Sequence, residues 1–305
     1  MASSGDTSPT FTRRLAGWLA NSLPLRPARQ LMEQNLANYH LPLGKFGKLS
    51  AGGWLILNDY AEGKFPPTFA DQAAAYAAEV NFYSAMSGST RAENVIAHRA
   101  KPFWGAKSFG FYSRQFTRLL RVFETLGFRP DEHLLELGCG AGWMGEFLTL
   151  TGYRVTGTTI TPDDVALGEE RARACTARGL APGRLKFRLA PMENVHEQVR
   201  DLLPVDHVFV FEALHHAFDW QAAIHSAAKC LRPGGWLVLA NEPNLSHTFV
   251  SYRVGRLTNT HEIGMSGPAL RAEMRSAGLT EHRVLAPRFD NKITPHWIAG
   301  RKPPG

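Results

Sequence analysis

Three glycines at alternating positions, Gly138, Gly140 and Gly142, lie between an apolar stretch and a helix-like run in LLELGCGAGWMGEFL (134–148). Glycine lets the chain turn tightly and bring its backbone amides close to a ligand, and the N-terminus of the following helix adds further amide donors. A dinucleotide-binding loop has glycine at its first, third and sixth positions. Here the sixth position is Trp143, whose indole is poorly suited to a place where a helix presses on a strand beside a pyrophosphate. The loop therefore predicts a nucleotide-like ligand other than NAD or FAD.

The segments around this loop alternate between strand-like and helix-like patterns from residue 131 onward, which is typical of a parallel sheet with crossover helices. We expect strands at 133–138, 153–160, 184–190, 207–214 and within 232–243, helices at 143–152, 162–178, 219–231 and 268–278, and a closing antiparallel pair. Ligands of open α/β sheets bind beyond the carboxyl ends of the strands. The segment FEALHHAFDW (211–220), which follows the fourth strand, should therefore face a ligand.

The N-terminal part of the chain has a different pattern. Residues 1–10 are typical of a disordered start, and residues 11–125 are irregularly helical. The segment FTRRLAGWLANSL (11–23) is amphipathic. It predicts either a helix packed on the body of the protein, which is the commoner case, or a helix that lies on a membrane surface.

The composition bounds the kind of protein. With 44% hydrophobic and 20% charged residues, the 305-residue chain suits one large globular domain with an appendage, or two domains. Its three cysteines have no CxxC spacing, which favours a reduced, cytoplasmic compartment and predicts neither a disulfide framework nor a metal site. No apolar run approaches the ~20 residues that span a bilayer. A net charge of +7 is compatible with nucleic acid, an anionic surface or an anionic small substrate.

Three motifs in this order resemble the class I S-adenosylmethionine-dependent methyltransferases over roughly residues 115–303. ELGCGAG (136–142) is similar to the glycine loop of that family, CLRPGGWLVL (230–239) to its turn before the fifth strand, and FEALHHAFDW (211–220) to the segment after the fourth strand in its small-molecule branch. The resemblance implies an α/β fold with a Rossmann-like seven-stranded methyltransferase sheet and an N-terminal helical cap. It also implies S-adenosylmethionine as cofactor, residues 11–125 as the helical cap and acceptor-binding region, and residues 126–305 as the catalytic domain.

The resemblance also implies a set of cofactor-binding residues: Glu136, Gly138, Gly140, Gly142, Thr159, Met192, Glu193 and Tyr112. Glu136 would attract the ammonium of the methionine moiety, and its alternative role is to brace the loop. Met192 would pack on the adenine. Glu193 would pair with the adenine or lie solvated in its loop.

Two positions depart from the family pattern. Thr159 stands where the family usually has an acid that accepts hydrogen bonds from the ribose, although GTTITPDD (157–164) is locally similar to cyclopropane fatty acid synthase-like C-methyltransferases. Asp163 or Asp164 could substitute, or could be ordinary acids of a first helical turn. Pro191 stands where an acid often pairs with the adenine. These departures leave open a weaker or degenerate cofactor site.

The acceptor site is expected beyond the fourth and fifth strands. His216 is the first candidate for a general base and His215 the second, because an imidazole with a pKa near neutrality suits removal of a hydroxyl proton. Either histidine could instead pack under the sheet or cap the next helix. Glu212 would position the methionine moiety or steady a developing carbocation. Four further residues are expected at the acceptor: Phe111, Tyr252, Glu242 and His247. The aromatic runs 81–88 and 101–116 would form a lid, or the core of the cap.

The predicted function is methylation of a small-molecule acceptor at oxygen or carbon, in natural-product, sugar, lipid or isoprenoid metabolism. A cofactor-binding scaffold without turnover is the first alternative, motivated by Thr159 and Pro191. A nucleic-acid methyltransferase is less favoured, because FEALHH replaces the N-P-P-Y-type motif and the basic residues are scattered rather than clustered. The oligomeric state stays open.

Overall fold

The computed structural model describes residues 10–36, 38, 41–82, 90–103, 105–285 and 295–305. Most of the predicted disordered start and of the aromatic run 81–88 lies outside these residues. The chain forms two compact units. The helical unit comprises Met1–Gly88 and Leu245–Ile263, and the sheet unit comprises Ser89–Asn244 and Gly264–Gly305. This division falls earlier in the sequence than the boundary expected near residue 125.

The helical unit is built around one long helix. Its described helices, with all helices numbered in chain order, are α1 (Phe11–Ala20), α2 (Arg26–Asn35), α3 (Lys45–Ala61), α4 (Gln72–Val80) and α11 (Leu245–Thr258). Helices α3 and α11 cross backbone to backbone at Gly52, where an added Cβ would lie 1.8 Å from the carbonyl oxygen of Phe249. Tyr252 of α11 is buried, and its hydroxyl donates to the carboxylate of Asp59 over 2.8 Å. The segment after the fifth strand is therefore a helix that completes the core of this unit.

The sheet unit contains a seven-stranded sheet with strand order β3-β2-β1-β4-β5-β7-β6. The strands are β1 (His133–Leu137), β2 (Arg154–Thr159), β3 (Leu185–Leu189), β4 (His207–Phe211), β5 (Trp236–Glu242), β6 (Glu281–Val284) and β7 (His296–Arg301). Strands β1 to β5 are parallel, whereas β7 is antiparallel to both of its neighbours. The strand order reverses direction between β1 and β4, which is where open α/β sheets form their binding crevice.

The described helices of the sheet unit are α5 (Arg91–Ala100), α6 (Ala106–Leu126), α7 (Trp143–Leu150), α8 (Pro162–Ala177), α9 (Val195–Gln198), α10 (Trp220–Cys230) and α12 (Gly267–Ser276). One core cluster includes Phe123, Phe209 and Trp297, and the cluster on the other side of the sheet includes Leu214 and Ile298. Burial of large apolar side chains on both faces explains why the strands read as continuous apolar runs.

The fourth strand is shorter than expected. It ends at Phe211, and residues Leu214–His216 form a single 3₁₀ turn. Glu212 has φ of 50°, so the chain leaves the strand in the left-handed region directly after Phe211. Among the described helices of both units, none combines the length and the apolar character needed to cross a bilayer.

Candidate active site

The glycine loop runs from the end of β1 to the start of α7, as the sequence predicts. Its three glycines have φ of 68°, 51° and 73°, a region that L side chains rarely adopt. A Cβ on Gly138 would lie 2.6 Å from Met192 Cε and 2.6 Å from Ala213 Cβ. A Cβ on Gly142 would lie 2.2 Å from the ring of Phe187. Both backbone conformation and close packing therefore require glycine at these two positions.

Glu136 lies buried directly below this loop. Burial raises the pKa of its carboxyl to about 8, although the backbone N–H of Gly145 favours the ionised form and offsets part of that effect. Its Oε2 atom has no hydrogen-bond partner among the described residues. A buried carboxyl oxygen without a donor is costly, and a cationic ligand would satisfy it. Glu136 therefore fits a cofactor that carries an ammonium group, as S-adenosylmethionine does.

The first turn of α8, just after the second strand, carries two acids that the sequence could not tell apart. Asp163 lies at the surface and pairs with Arg91 at 2.6 Å. Asp164 is buried, and its Oδ2 lies 4.0 Å from the position of a Cβ on Gly140. Its Oδ1 lies 2.7 Å from Nδ1 of His98. Asp164 is therefore the acid that lies beside the glycine loop.

Thr159 is buried at the end of β2, and its hydroxyl accepts a hydrogen bond of 3.3 Å from the backbone N–H of Thr161. A hydroxyl brings no charge to this position. Asp164 places a carboxyl group close to the glycine loop, five residues further along the chain. The sequence raised both Asp163 and Asp164 as possible substitutes, and only Asp164 lies beside the loop.

A strap formed by α5 lies against α8. Three pairs connect the two helices: Arg91 with Asp163, His98 with Asp164, and Arg99 with Glu170. The guanidinium of Arg171 adds hydrogen bonds to the backbone carbonyls of residues 98, 99 and 101, and to the carbonyl of Ala141 in the glycine loop at 2.8 Å. It also pairs with the buried carboxylate of Glu146 at 2.6 Å. Arg171 thus links the strap to the loop, a role that no sequence pattern indicated.

Met192 and Glu193 begin the 3₁₀ turn that follows β3. The methyl group of Met192 is the atom that approaches Gly138. The Oε1 atom of Glu193 accepts a hydrogen bond of 3.1 Å from the backbone N–H of Asp219, the residue that caps α10. Glu193 therefore holds the start of α10.

Two aromatic residues of α6, Phe111 and Tyr112, lie side by side, and Tyr112 also lies beside the first residue of α7. The ring of Tyr112 lies 5.1 Å from that of Trp143 and 5.4 Å from that of Phe111. Burial and the negative charge of Glu212 raise the pKa of the Tyr112 hydroxyl. Burial also lowers the pKa of Lys101, against the opposing charges of Asp164 and Glu212. The charged groups of this region thus act on one another electrostatically.

The two adjacent histidines have different surroundings. His215 is buried, and its Nδ1 lies 3.1 Å from Oε2 of Glu242. His216 is half-buried, and its ring centroid lies 4.0 Å from that of His215. Glu212 is exposed. His215 therefore pairs with Glu242, and His216 is the more accessible of the two histidines.

Glu242, at the end of β5, holds the turn that carries these histidines. Its side chain is fully buried and accepts hydrogen bonds from the backbone N–H groups of Ala213 at 2.9 Å, Leu214 at 3.0 Å and His215 at 3.4 Å. Burial alone would raise the pKa of Glu242, but the hydrogen bond and charge of His215 and these amides more than offset it, so the pKa is lowered. Glu242 is thus ionised, and it connects the end of β5 to the turn that follows β4.

Tyr252 and His247, also expected at the acceptor, both belong to α11 of the helical unit. Tyr252 is buried and bonded to Asp59 there. Nε2 of His247 lies 3.8 Å from Oε2 of Glu262. These contacts lie within the helical unit.

Comparison with known proteins gives a family match that lies within the sheet unit. Residues 135–239 match the family model described as a methyltransferase domain. A ubiquinone biosynthesis O-methyltransferase of Bordetella bronchiseptica is 26% identical over 172 residues, which are 53% of this chain and 68% of that protein. The protein of the same description from Hydrogenovibrio crunogenus is 27% identical over 164 residues, 49% of this chain and 62% of that protein.

The fold has a solved counterpart. The magnesium protoporphyrin IX methyltransferase of Synechocystis PCC 6803, with bound S-adenosylmethionine, is 14% identical, covers 77% of this chain and 100% of its own, and has a TM-score of 0.52. The predicted Rossmann-like methyltransferase fold is therefore confirmed.

Proposed function

We propose that this chain, a class I S-adenosylmethionine-dependent methyltransferase, methylates a hydroxyl oxygen of a small, apolar aromatic acceptor. The observation that carries the choice of oxygen is the pair His215–Glu242, with a distance of 3.1 Å, beside the more accessible His216. Methylation of a hydroxyl requires a group that takes up a proton, and histidine suits that task. The O-methyltransferase descriptions of the similar proteins from Bordetella and Hydrogenovibrio support the same chemistry.

The described residues provide for the cofactor, which when bound supplies an electrophilic methyl group on a sulfonium centre. Glu136 would bind the ammonium, because its buried Oε2 lacks a donor. Asp164, beside the glycine loop, would accept hydrogen bonds from the ribose in place of the acid that is missing at Thr159. Met192, which packs against Gly138, would contact the adenine.

His216 would act as the general base. During methyl transfer it would take up the proton of the acceptor hydroxyl, so that the products would be a neutral methyl ether, S-adenosylhomocysteine and a protonated imidazole. Glu242 and His215 act by position, because they fix the turn that carries His216. Alignment and exclusion of water supply the remaining acceleration of such a displacement.

The test uses radioactive methyl-labelled S-adenosylmethionine with three acceptors: a catechol that bears a short isoprenoid chain, the same catechol without the chain, and an unsaturated phospholipid as carbon acceptor. Mass spectrometry identifies the methylated atom. We expect an aryl methyl ether from the isoprenoid catechol, and the lowest KM for that acceptor. Methylation at carbon, or only of the phospholipid, would instead support the C-methyltransferase alternative.

The variant His216→Gln tests the base. We expect kcat to fall about 100-fold or more while the Kd for S-adenosylmethionine stays unchanged. The limb of the pH–rate profile that rises with pH should disappear, because it reports deprotonation of the base. Full activity of the variant, or an unchanged pH profile, would remove His216 from the mechanism.

A further inference from the structure

Helix α1 packs in an unusual orientation within the helical unit. Its buried residues are small, namely Ala16 and Ala20, and a Cβ on Gly17 would lie 3.4 Å from Cβ of Ala61 in α3. Two hydrogen bonds tie the helix to α3: Trp54 Nε1 donates to the carbonyl of Ala20 over 3.2 Å, and the Tyr60 hydroxyl donates to Thr12 over 3.2 Å. The helix is thus held by its small side chains and its ends.

The large apolar side chains of α1 consequently face away from the unit. Phe11 is 80% exposed, Trp18 is 68% exposed and Leu15 is 44% exposed. Their spacing of four and three residues places them on one face of the helix. Leu23, just after α1, and Phe46, at the start of α3, are also exposed. An amphipathic helix normally buries its large apolar residues in the protein, so this arrangement leaves an apolar face that lacks a partner within the described part of the chain.

The net charge of the segment that contains this face favours one kind of partner. Residues 10–58 contain one acid, Glu33, and six basic residues: Arg13, Arg14, Arg26, Arg29, Lys45 and Lys48. Glu33 is engaged by Arg29 at 2.8 Å. A second copy of this chain would bring like charges together at such an interface. A membrane surface with anionic lipids complements both the apolar face and the positive charge.

We propose that the face of α1 formed by Phe11, Leu15 and Trp18 binds an anionic lipid surface as a peripheral helix. Ten residues rise about 15 Å, half the ~30 Å of a bilayer core, so the helix lies in the interface and does not span it. Because α3 already holds the helix in shape, binding does not require the ordering that an isolated helix of this length would need. The inference goes beyond the proposed methyl transfer and does not depend on it.

The test is sedimentation of the full chain with vesicles of phosphatidylcholine that contain about 30% phosphatidylglycerol, and with vesicles of phosphatidylcholine alone. We expect binding to the anionic vesicles at about 0.1 M salt, and much weaker binding at about 0.5 M salt or to the neutral vesicles. The double variant Phe11→Ser/Trp18→Ser should reduce binding about tenfold or more, with an unchanged circular dichroism spectrum. No binding of the wild type to anionic vesicles would overturn the proposal.

A matched pair of variants distinguishes binding through this face from nonspecific binding through any exposed leucine. Leu15 and Leu150 are each 44% exposed, but Leu150 lies at the end of α7 in the sheet unit. We expect Leu15→Ser to weaken vesicle binding and Leu150→Ser to leave it unchanged. Equal losses in both variants would overturn the assignment to α1. A wild-type dimer in light scattering that Trp18→Ser converts to a monomer would also overturn it, in favour of self-association. Because no acceptor is needed, failure here is independent of failure of the methylation assay.

Discussion

Replacement of Glu136 by glutamine should stabilise the cofactor-free protein and weaken its binding of S-adenosylmethionine. Burial raises the pKa of this carboxyl from 4.5 to about 8. In the pH range between these values the unfolded chain releases the proton and the folded chain keeps it, so the free energy of unfolding falls as pH rises. The loss is about 1.4 kcal/mol per pH unit, or about 3 kcal/mol by pH 7. Glutamine does not ionise, so the variant should avoid this loss.

Urea unfolding of the cofactor-free wild type and of Glu136→Gln at pH 5 and pH 7 measures the effect. The advantage of the variant should be small at pH 5 and about 3 kcal/mol at pH 7. Glu146→Gln is the matched control, because Glu146 is also a buried carboxylate but pairs with Arg171 at 2.6 Å and with Arg178 at 3.1 Å. That variant should lose stability, since it leaves a cation without its partner.

Calorimetric titration with S-adenosylmethionine completes the experiment. The ammonium of the ligand favours the ionised carboxylate, so the affinity of the wild type should rise with pH between about 6 and 8. Glu136→Gln should bind about ten to a hundred times more weakly and lose this dependence. A variant that is no more stable than the wild type at pH 7, or that binds the cofactor equally well, would refute the assigned role of Glu136.

Three further predictions concern the loop and its surroundings. Gly138→Ala should cost at least about 2 kcal/mol more in unfolding free energy than Gly127→Ala. Both glycines have positive φ, but only Gly138 has atoms within 4 Å of the added Cβ. Equal costs in urea unfolding would contradict the packing argument. Glu242→Gln should cost about 2–4 kcal/mol of unfolding free energy at pH 7. Because the pKa of Glu242 is lowered in the folded protein, the wild type should lose this advantage as pH falls below 4.5, whereas the variant should not. Urea midpoints of both proteins at pH 7 and pH 4 would show the difference. Asp164→Asn should lower the affinity for S-adenosylmethionine about tenfold in calorimetry, whereas Asp163→Asn should leave it unchanged; similar losses in both would remove the distinction between them.

The local pattern of the sequence determined the sheet unit to a large extent. The loop at Gly138, Gly140 and Gly142, the alternation of strands and helices, and the turn before β5 depend on residues that are neighbours in the chain. Glycine conformation, apolar periodicity and helix starts are properties of such short segments. For this reason the sequence located the binding edge of the sheet and indicated its ligand. The fourth strand was predicted too long, because the turn after Phe211 depends on the left-handed backbone of Glu212. Glutamate seldom adopts this conformation, so its presence in the sequence does not indicate the turn.

Only the tertiary structure distinguished between equivalent residues, because their roles depend on partners far away in the sequence. Asp164 differs from Asp163 through His98, 66 residues before it. His215 differs from His216 through Glu242, 27 residues after it. The amphipathic pattern of α1 does not determine which of its faces is buried. The face with the small residues packs on α3, and Phe11 and Trp18 remain exposed. Burial and pairing are set by the whole fold, and a linear pattern carries them only where the partners are close along the chain.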